Sequence, residues 1–283
     1  MKRIVTIQDL SGVGKCSLGI ALPVISAMGV ESACLPTAVL STHTAFPGFT
    51  FHDLTGEIKP ISEHWKSQGI TFDAVYTGYL GSFAQIELVS RFIRDFKRPE
   101  NIVFIDPAMG DAGRLYPGFS PAFAREMGRL CAQADITVPN LTEACFLLDL
   151  PYEEAPDQQT VREMLRRLCG MGAKRAAITG VGFASGNTGV MMYDASADTF
   201  FAYEHLRQPS HFHGTGDLFA SACVGALMNG LGYEQSLVLA ADYTAYTIEQ
   251  TLLDPHRRTY GVQFEATIPA LLTMLSQAKP PHQ

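Results

Sequence analysis

Short apolar runs closed by polar or glycine-rich turns alternate with longer stretches of mixed character along this chain, and the alternation predicts strands followed by helices. Arg3 to Ile7 reads as a buried strand that ends in the loop Asp9-Leu10-Ser11-Gly12-Val13-Gly14-Lys15, which opens a helix reaching about Met28. Glu31 to Ala38 supplies a second strand, and Phe49-Thr50-Phe51-His52 a short hairpin arm. A helix around Ser62 to Gln68, a strand Ala74 to Thr77, a turn Gly78-Tyr79-Leu80-Gly81 and a helix Phe83 to Phe96 follow. The β-rich run Asn101 to Ile105 is closed by Asp106-Pro107-Ala108-Met109-Gly110-Asp111. Next come a helix Pro121 to Ala132, a strand Ile136 to Val138 and a helix start at Asn140. Gln158 to Gly170 reads as a helix, Arg175 to Thr179 as a strand, and Gly189 to Tyr193 with Thr199 to Tyr203 as a hairpin. The apolar helix Leu218 to Met228 and the helices Tyr233 to Leu252 and Glu265 to Ser276 close the chain, whose last residues should fray. Repeated strand-then-helix order, with acids and glycines at the strand ends, predicts an α/β fold: a mostly parallel central sheet with helices on both faces.

Composition narrows the class. At 283 residues, without a linker, a repeat or a low-complexity run, the chain reads as one domain over 1–283. A formal charge of −7 with scattered basic residues argues against nucleic acid as a partner. No stretch reaches the ~18 apolar residues of a membrane span, and the apolar start is too short for a signal segment. Six cysteines (Cys16, Cys34, Cys131, Cys145, Cys169, Cys223) lack any Cys-x-x-Cys pair, which suits reduced core residues of a cytoplasmic protein.

The chemistry concentrates in a few turns. In His213-Gly214-Thr215-Gly216-Asp217, the bare glycines and the first turn of the following helix present N–H groups to an anion. Asp217 is either a carboxylate welcomed by the helix dipole or the base that takes a proton from a substrate hydroxyl, in the second case with an ordinary pKa. The first loop is not a Walker A motif, because Asp9 stands where that motif has its first Gly and Cys16 follows Lys15. It reads as a substrate loop or a plain tight turn. Ser41-Thr42-His43-Thr44, followed by aromatics, suggests a small-molecule pocket or a solvated loop. Asp106 and Asp111, at a strand end, suit a metal–phosphate site. Asn140 with Glu143 three residues on is a capping-box helix start, and the same placement would let Glu143 reach Mg²⁺ through water. His211 and His213 raise a metal pair as a further alternative.

Taken together these segments resemble the ribokinase superfamily, in particular its pyridoxal kinases and the neighbouring hydroxymethylpyrimidine kinases, along nearly the whole chain. The resemblance implies a ribokinase-like three-layer fold and an ATP-dependent kinase that phosphorylates the 5′-hydroxymethyl group of a B6 vitamer. Gly214-Thr215-Gly216-Asp217 is similar to the pyridoxal kinase catalytic loop, which makes Asp217 the base and Gly214, Thr215 and Gly216 the anion hole. His43, Thr44 and Tyr79 correspond to residues lining the vitamin pocket. Asp106 to Asp111 resembles the family's segment beside metal and ATP phosphates, and the residues through Tyr116 a loop covering the nucleotide. Asn140 and Glu143 fit an Asn-x-x-Glu motif organising Mg²⁺, and Thr179 a phosphate-contacting threonine. Asp9 departs from the pyridoxal kinase pattern, which has Ser there, and with Ser11, Gly12 and Gly14 resembles the first loop of hydroxymethylpyrimidine kinases. The implied cofactor is Mg²⁺ with ATP as donor, a monovalent cation being left open, and the implied assembly is a homodimer. The alternatives are a hydroxymethylpyrimidine kinase, a more distant sugar kinase, and a non-catalytic protein that sequesters pyridoxal phosphate.

Overall fold

Strand and helix alternate as the pattern predicts. The computed structural model describes residues 1–210 and 212–279. In chain order its elements are β1 (Arg3–Ser11), α1 (Leu18–Ala27), β2 (Glu31–Leu40), β3 (Phe51–Asp53), α2 (Thr55–Ser67), β4 (Ala74–Thr77), α3 (Phe83–Phe96) and β5 (Ile102–Ile105). There follow β6 (Gly110–Asp111), β7 (Arg114–Leu115), α4 (Pro121–Cys131), β8 (Ile136–Thr137), α5 (Leu141–Leu148), α6 (Gln158–Gly170), β9 (Arg175–Val181), β10 (Asn187–Asp194) and β11 (Thr199–Leu206). The last elements are α7 (Thr215–Met228), α8 (Tyr233–Leu253) and α9 (Phe264–Ala278).

Nine strands form one sheet in the order β11-β10-β9-β8-β5-β4-β1-β2-β3. The pairs from β2 through β9 are parallel, and β3, β10 and β11 extend the edges antiparallel. The chain adds β2 on one side of β1 and β4 on the other, so the strand order reverses between β1 and β4. Crevices of this kind, outside the carboxyl ends of the strands, are where open α/β sheets hold ligands.

Alternating strand residues feed two separate cores. Val5, Ile7, Val75, Val103 and Ile105 pack under α2 to α6, while Ile4, Tyr76, Phe104, Ile136 and Ala177 pack under α1, α7, α8 and α9. The short, fully buried β4 and β5 carry apolar residues on both faces, as strands covered on two sides must.

Three local features differ from the pattern's prediction. β1 continues through Ser11, and its register with β2 shifts between Gln8 and Leu10, so Asp9 stands at a bulge inside the strand and not after it. Such a bulge re-aims a side chain beside a site. α2 begins at Thr55, seven residues earlier than Ser62, because the Asp53 carboxylate accepts from the Thr55 N–H and Ile58 buries the extra turn despite Pro60. Finally, the turn after Asp106 contains a two-residue hairpin, β6 with β7, whose central residues Ala112 and Gly113 both have positive φ (48° and 76°). Residues 280–283, where fraying is expected, lie outside the described residues.

Candidate active site

Asp217 stands on the third residue of α7, whose start is set by Gly214 in the left-handed conformation (φ 79°, ψ 4°). The first intrahelical bond runs from the Leu218 N–H to the Gly214 carbonyl, so the N–H groups of Thr215, Gly216 and Asp217 have no helical acceptor. Gly216 has open space where a Cβ would be. Among the described residues these donors have no acceptor, and at the positive end of a helix dipole they are suited to an anion.

The Asp217 residue keeps an edge open to the cleft while its carboxylate is packed round by protein. Burial pushes its pKa up to about 7, the Ser17 N–H draws it down, and the Asp9 charge raises it again. This corrects the expectation of an ordinary carboxylate: the site strips water from the group and, among the described residues, offers no cation in exchange. A base with pKa near the working pH accepts a proton more readily.

Asp9 is buried, and its Oδ1 accepts from Ser17 Oγ at 2.6 Å, with Ser11 Oγ at 3.5 Å from Oδ2. Burial raises its pKa. Its partners are side-chain hydroxyls, so it does not cap α1. Tyr79, just past β4, feels the Asp9 charge, which together with burial lifts the phenol. His43 lies against His213, with ring centroids 4.7 Å apart and the rings tilted by 46°, and its Nδ1 accepts from the Ala45 N–H. Burial and His213 hold its pKa below the usual imidazole value, which keeps the ring neutral. A Cβ on Gly14 would come within 2.8 Å of His43 Cβ, so the bare first loop is what lets the His43 turn approach. At one end of the candidate site Asp9 thus stands within electrostatic reach of both Tyr79 and Asp217, and the His43 turn packs on the first loop at Gly14. Thr44 is exposed on the turn after His43.

The other end is acidic. Glu143 accepts from the Met109 N–H (3.0 Å) through Oε1 and the Asn140 N–H (2.8 Å) through Oε2, while Asn140 Oδ1 accepts from the Glu143 N–H. The predicted capping box is complete, and it also ties the strand-end turn to α5. Asn140 Nδ2 donates to the Gly110 carbonyl and Thr142 Oγ1 accepts from the Gly113 N–H, which pins the β6–β7 hairpin. Asn140 bridges to Thr179 on the neighbouring strand. Asp106 is buried, and desolvation, then Glu143, then Asp217 raise its pKa. Asp111 is exposed on the hairpin, and Tyr116 lies within the field of Glu143, Asp111, Asp217 and Asp106.

The groups that shift Asp106 and Glu143 are acids and backbone N–H groups, so no cation of the protein compensates them. Among the described residues no three His, Cys, Asp or Glu side chains form a metal cage. Mg²⁺ is ordinarily held by one or two carboxylates, water and phosphate oxygens, so these hard oxygens fit it. With both Glu143 oxygens accepting backbone N–H groups, Asp106 would be the open ligand and Glu143 would reach the ion only through water. His211 lies outside the described residues, and His213 pairs with His43.

A family model, phosphomethylpyrimidine kinase, matches residues 22–259 of this chain. The chain belongs to the phosphomethylpyrimidine kinase family. A structure from Bacteroides thetaiotaomicron described as a phosphomethylpyrimidine kinase, in a crystal form with pyridoxal, is 39% identical, with TM-score 0.91 over 95% of each chain. Pyridoxal kinase from Lactobacillus plantarum is 31% identical, with TM-score 0.89 over 98% of this chain and 99% of that one. The pyridoxine/pyridoxal/pyridoxamine kinase of Bordetella bronchiseptica is 28% identical over 88% of this chain and 89% of that protein.

Within this family member, several contacts had no signal in the residue pattern. Ser17 reaches Asp9 across eight residues, and Gln85, buried at the start of α3, joins the Tyr79 turn to the β3 arm. Its Oε1 accepts from the Gly81 N–H, and its Nε2 donates to the Thr37 carbonyl and Asp53. Thr142 was legible only as the residue between Asn140 and Glu143.

Proposed function

We propose that the protein catalyses ATP-dependent phosphorylation of the 5′-hydroxymethyl group of a B6 vitamer. The observation that carries this reading is a base in the first turn of a helix, Asp217, within the field of Asp9, which in turn acts on Tyr79. The two relatives above 30% identity support it, one crystallised with pyridoxal and the other a pyridoxal kinase, each matching more than nine-tenths of the chain.

In this proposal the vitamer ring lies between Asp9, Tyr79 and the His43-Thr44 turn, with its hydroxymethyl group at Asp217. An Asp217 carboxylate oxygen accepts the hydroxyl proton as the hydroxymethyl oxygen bonds to the γ-phosphorus of ATP and the bond from that phosphorus to the bridging β-phosphate oxygen breaks, leaving ADP. The N–H groups of Thr215 and Gly216, with the turn at Gly214, hold the negative oxygens of the phosphoryl group. Asp111, Tyr116, Asn140 and Thr179 line the nucleotide side. Asp106 and, through water, Glu143 would hold Mg²⁺, which supplies charge neutralisation between the phosphates. A homodimer, a cytoplasmic setting and a monovalent cation stay part of this proposal. Among the described residues no helix is long and apolar enough to cross a membrane.

The test is a product-resolved assay offering pyridoxal, pyridoxine, pyridoxamine and hydroxymethylpyrimidine side by side, with and without Mg²⁺ and K⁺. Vitamer 5′-phosphates as main products are the expected result. Hydroxymethylpyrimidine phosphate as the main product would replace this reading with the pyrimidine kinase, and binding without turnover would replace it with a sequestering protein.

A further inference from the structure

Ser17, immediately before α1, adopts φ 47° and ψ −131°, a conformation that glycine takes freely and other residues avoid. A serine at a helix start ordinarily caps the helix by accepting from an N–H of the first turn. Ser17 makes no such bond. Its hydroxyl, in a residue only 4% exposed, donates instead to Asp9 Oδ1 at 2.6 Å. Its carbonyl accepts from the Ile20 and Ala21 N–H groups, so the residue is fixed by the first turn of α1.

We infer that Ser17 is a positioning residue that holds Asp9 through its hydroxyl, fixing the ring-facing acid to the first turn of α1. Glycine would satisfy this backbone without strain, so what serine adds at this place is the hydroxyl. The competing donor to Asp9, Ser11 Oγ, is at 3.5 Å, too long to hold the carboxylate alone. The neighbouring Cys16 cannot replace it: burial, then the Asp217 and Asp9 charges, push its thiol up to about 12, leaving a weak neutral donor. Strain of this kind persists where surrounding structure imposes it, and here the imposing element is α1.

The inference rests on the reading of Asp9 as the group facing the substrate ring. Ser17→Gly removes the hydroxyl and relieves the backbone, so its melting temperature should equal or exceed that of the wild type. Its kcat/KM for the preferred vitamer should nevertheless fall about tenfold or more, mostly through the vitamer KM, with the ATP KM unchanged. In an Asp9→Ala background the same substitution should have little further effect, since the acceptor is gone. Ser17→Gly with wild-type kcat/KM, or a loss equally large in both backgrounds, overturns the inference. Wild-type protein assayed in parallel separates the two readings. If it turns over only hydroxymethylpyrimidine, the vitamer assignment fails and the cycle is read on that substrate. If it turns over nothing, the cycle is read on the dissociation constant for pyridoxal.

Discussion

Gly214 lies so close to Lys15 that a Cβ at position 214 would come within 1.9 Å of the Lys15 carbonyl oxygen and 2.8 Å of Ile20 Cδ1. The catalytic turn and the first loop are therefore in backbone contact, and the left-handed φ of Gly214 adds a second bar to any side chain. Gly214→Ala should destabilise the protein by about 2 kcal/mol or more and abolish turnover, because the two loops must part. Denaturant unfolding beside a kinase assay checks this. A stable, active alanine variant would contradict the close approach.

Asp217→Asn keeps the shape of the turn and removes the proton acceptor. We expect kcat to fall roughly 10²- to 10⁴-fold with ATP binding nearly unchanged. Steady-state kinetics beside nucleotide titration separates the two quantities, and near wild-type turnover would remove Asp217 from the role of base.

The pH dependence follows from the raised pKa of Asp217. Because the base must be ionised, kcat/KM should climb as pH rises through about 7, and the residual activity of Asp217→Asn should lack that limb. Stability runs the opposite way. A carboxyl that binds its proton more tightly folded than unfolded stabilises the fold fully at low pH, and this stabilisation is lost between the ordinary value of 3.8 and about 7. The asparagine variant should therefore melt above the wild type by a margin that is larger at pH 8 than at pH 5.

Glu143→Gln replaces one of two acceptors with an NH₂ group that faces a backbone N–H, so either the Met109 or the Asn140 contact is lost. The expected result is a loss of about 1–3 kcal/mol in stability together with a higher KM for Mg²⁺-ATP, and little change in vitamer KM. Melting curves and a Mg²⁺-ATP titration test it; an unchanged KM would place Glu143 in the scaffold alone.

For Asp9→Ser we expect the preference among vitamers to change. A carboxylate accepts from a protonated ring nitrogen or an amino group, whereas serine both donates and accepts, so the variant should lose roughly ten- to a hundredfold in kcat/KM on pyridoxamine relative to pyridoxine. Comparing kcat/KM on both substrates with the melting temperature decides it. A lower melting temperature with the ranking kept would make Asp9 a structural partner of Ser17 only.

Most strands and helices were legible because apolar periodicity reports which face is buried, and the sheet buries both of its faces. Asp106, Asn140 and Glu143 were legible for a different reason: each follows a run that joins the parallel sheet, which delivers such residues to one edge, whereas Asp217 was legible from the glycine-rich turn that opens α7, the strand before it, β11, being antiparallel. The bulge at Asp9 was not legible, since a register shift depends on the partner strand β2 and leaves no trace in the spacing of β1 itself. The early start of α2 was hidden by Gly56 and Pro60, whose poor helix propensity is outweighed by the burial of Ile58. The pKa of Asp217 was misjudged because desolvation comes from distant elements packing around it. Ser17 was not legible because its hydroxyl meets Asp9 only once the bulge of β1 and the start of α1 are in place.

The division of the core between the two sheet faces has a consequence for synthesis. Every strand, β1 through β11, precedes Arg207, whereas α7, α8 and α9 begin at Thr215 and cover the face that holds Ile4, Tyr76, Phe104 and Ala177. A nascent chain that has released β11 can pair all its strands and seat α2 to α6, but one side of its sheet is covered by α1 alone. That side is an apolar surface open to other chains until the final helices emerge, so the interval between Leu206 and the completion of α9 is when this protein most needs a chaperone and is most prone to aggregate.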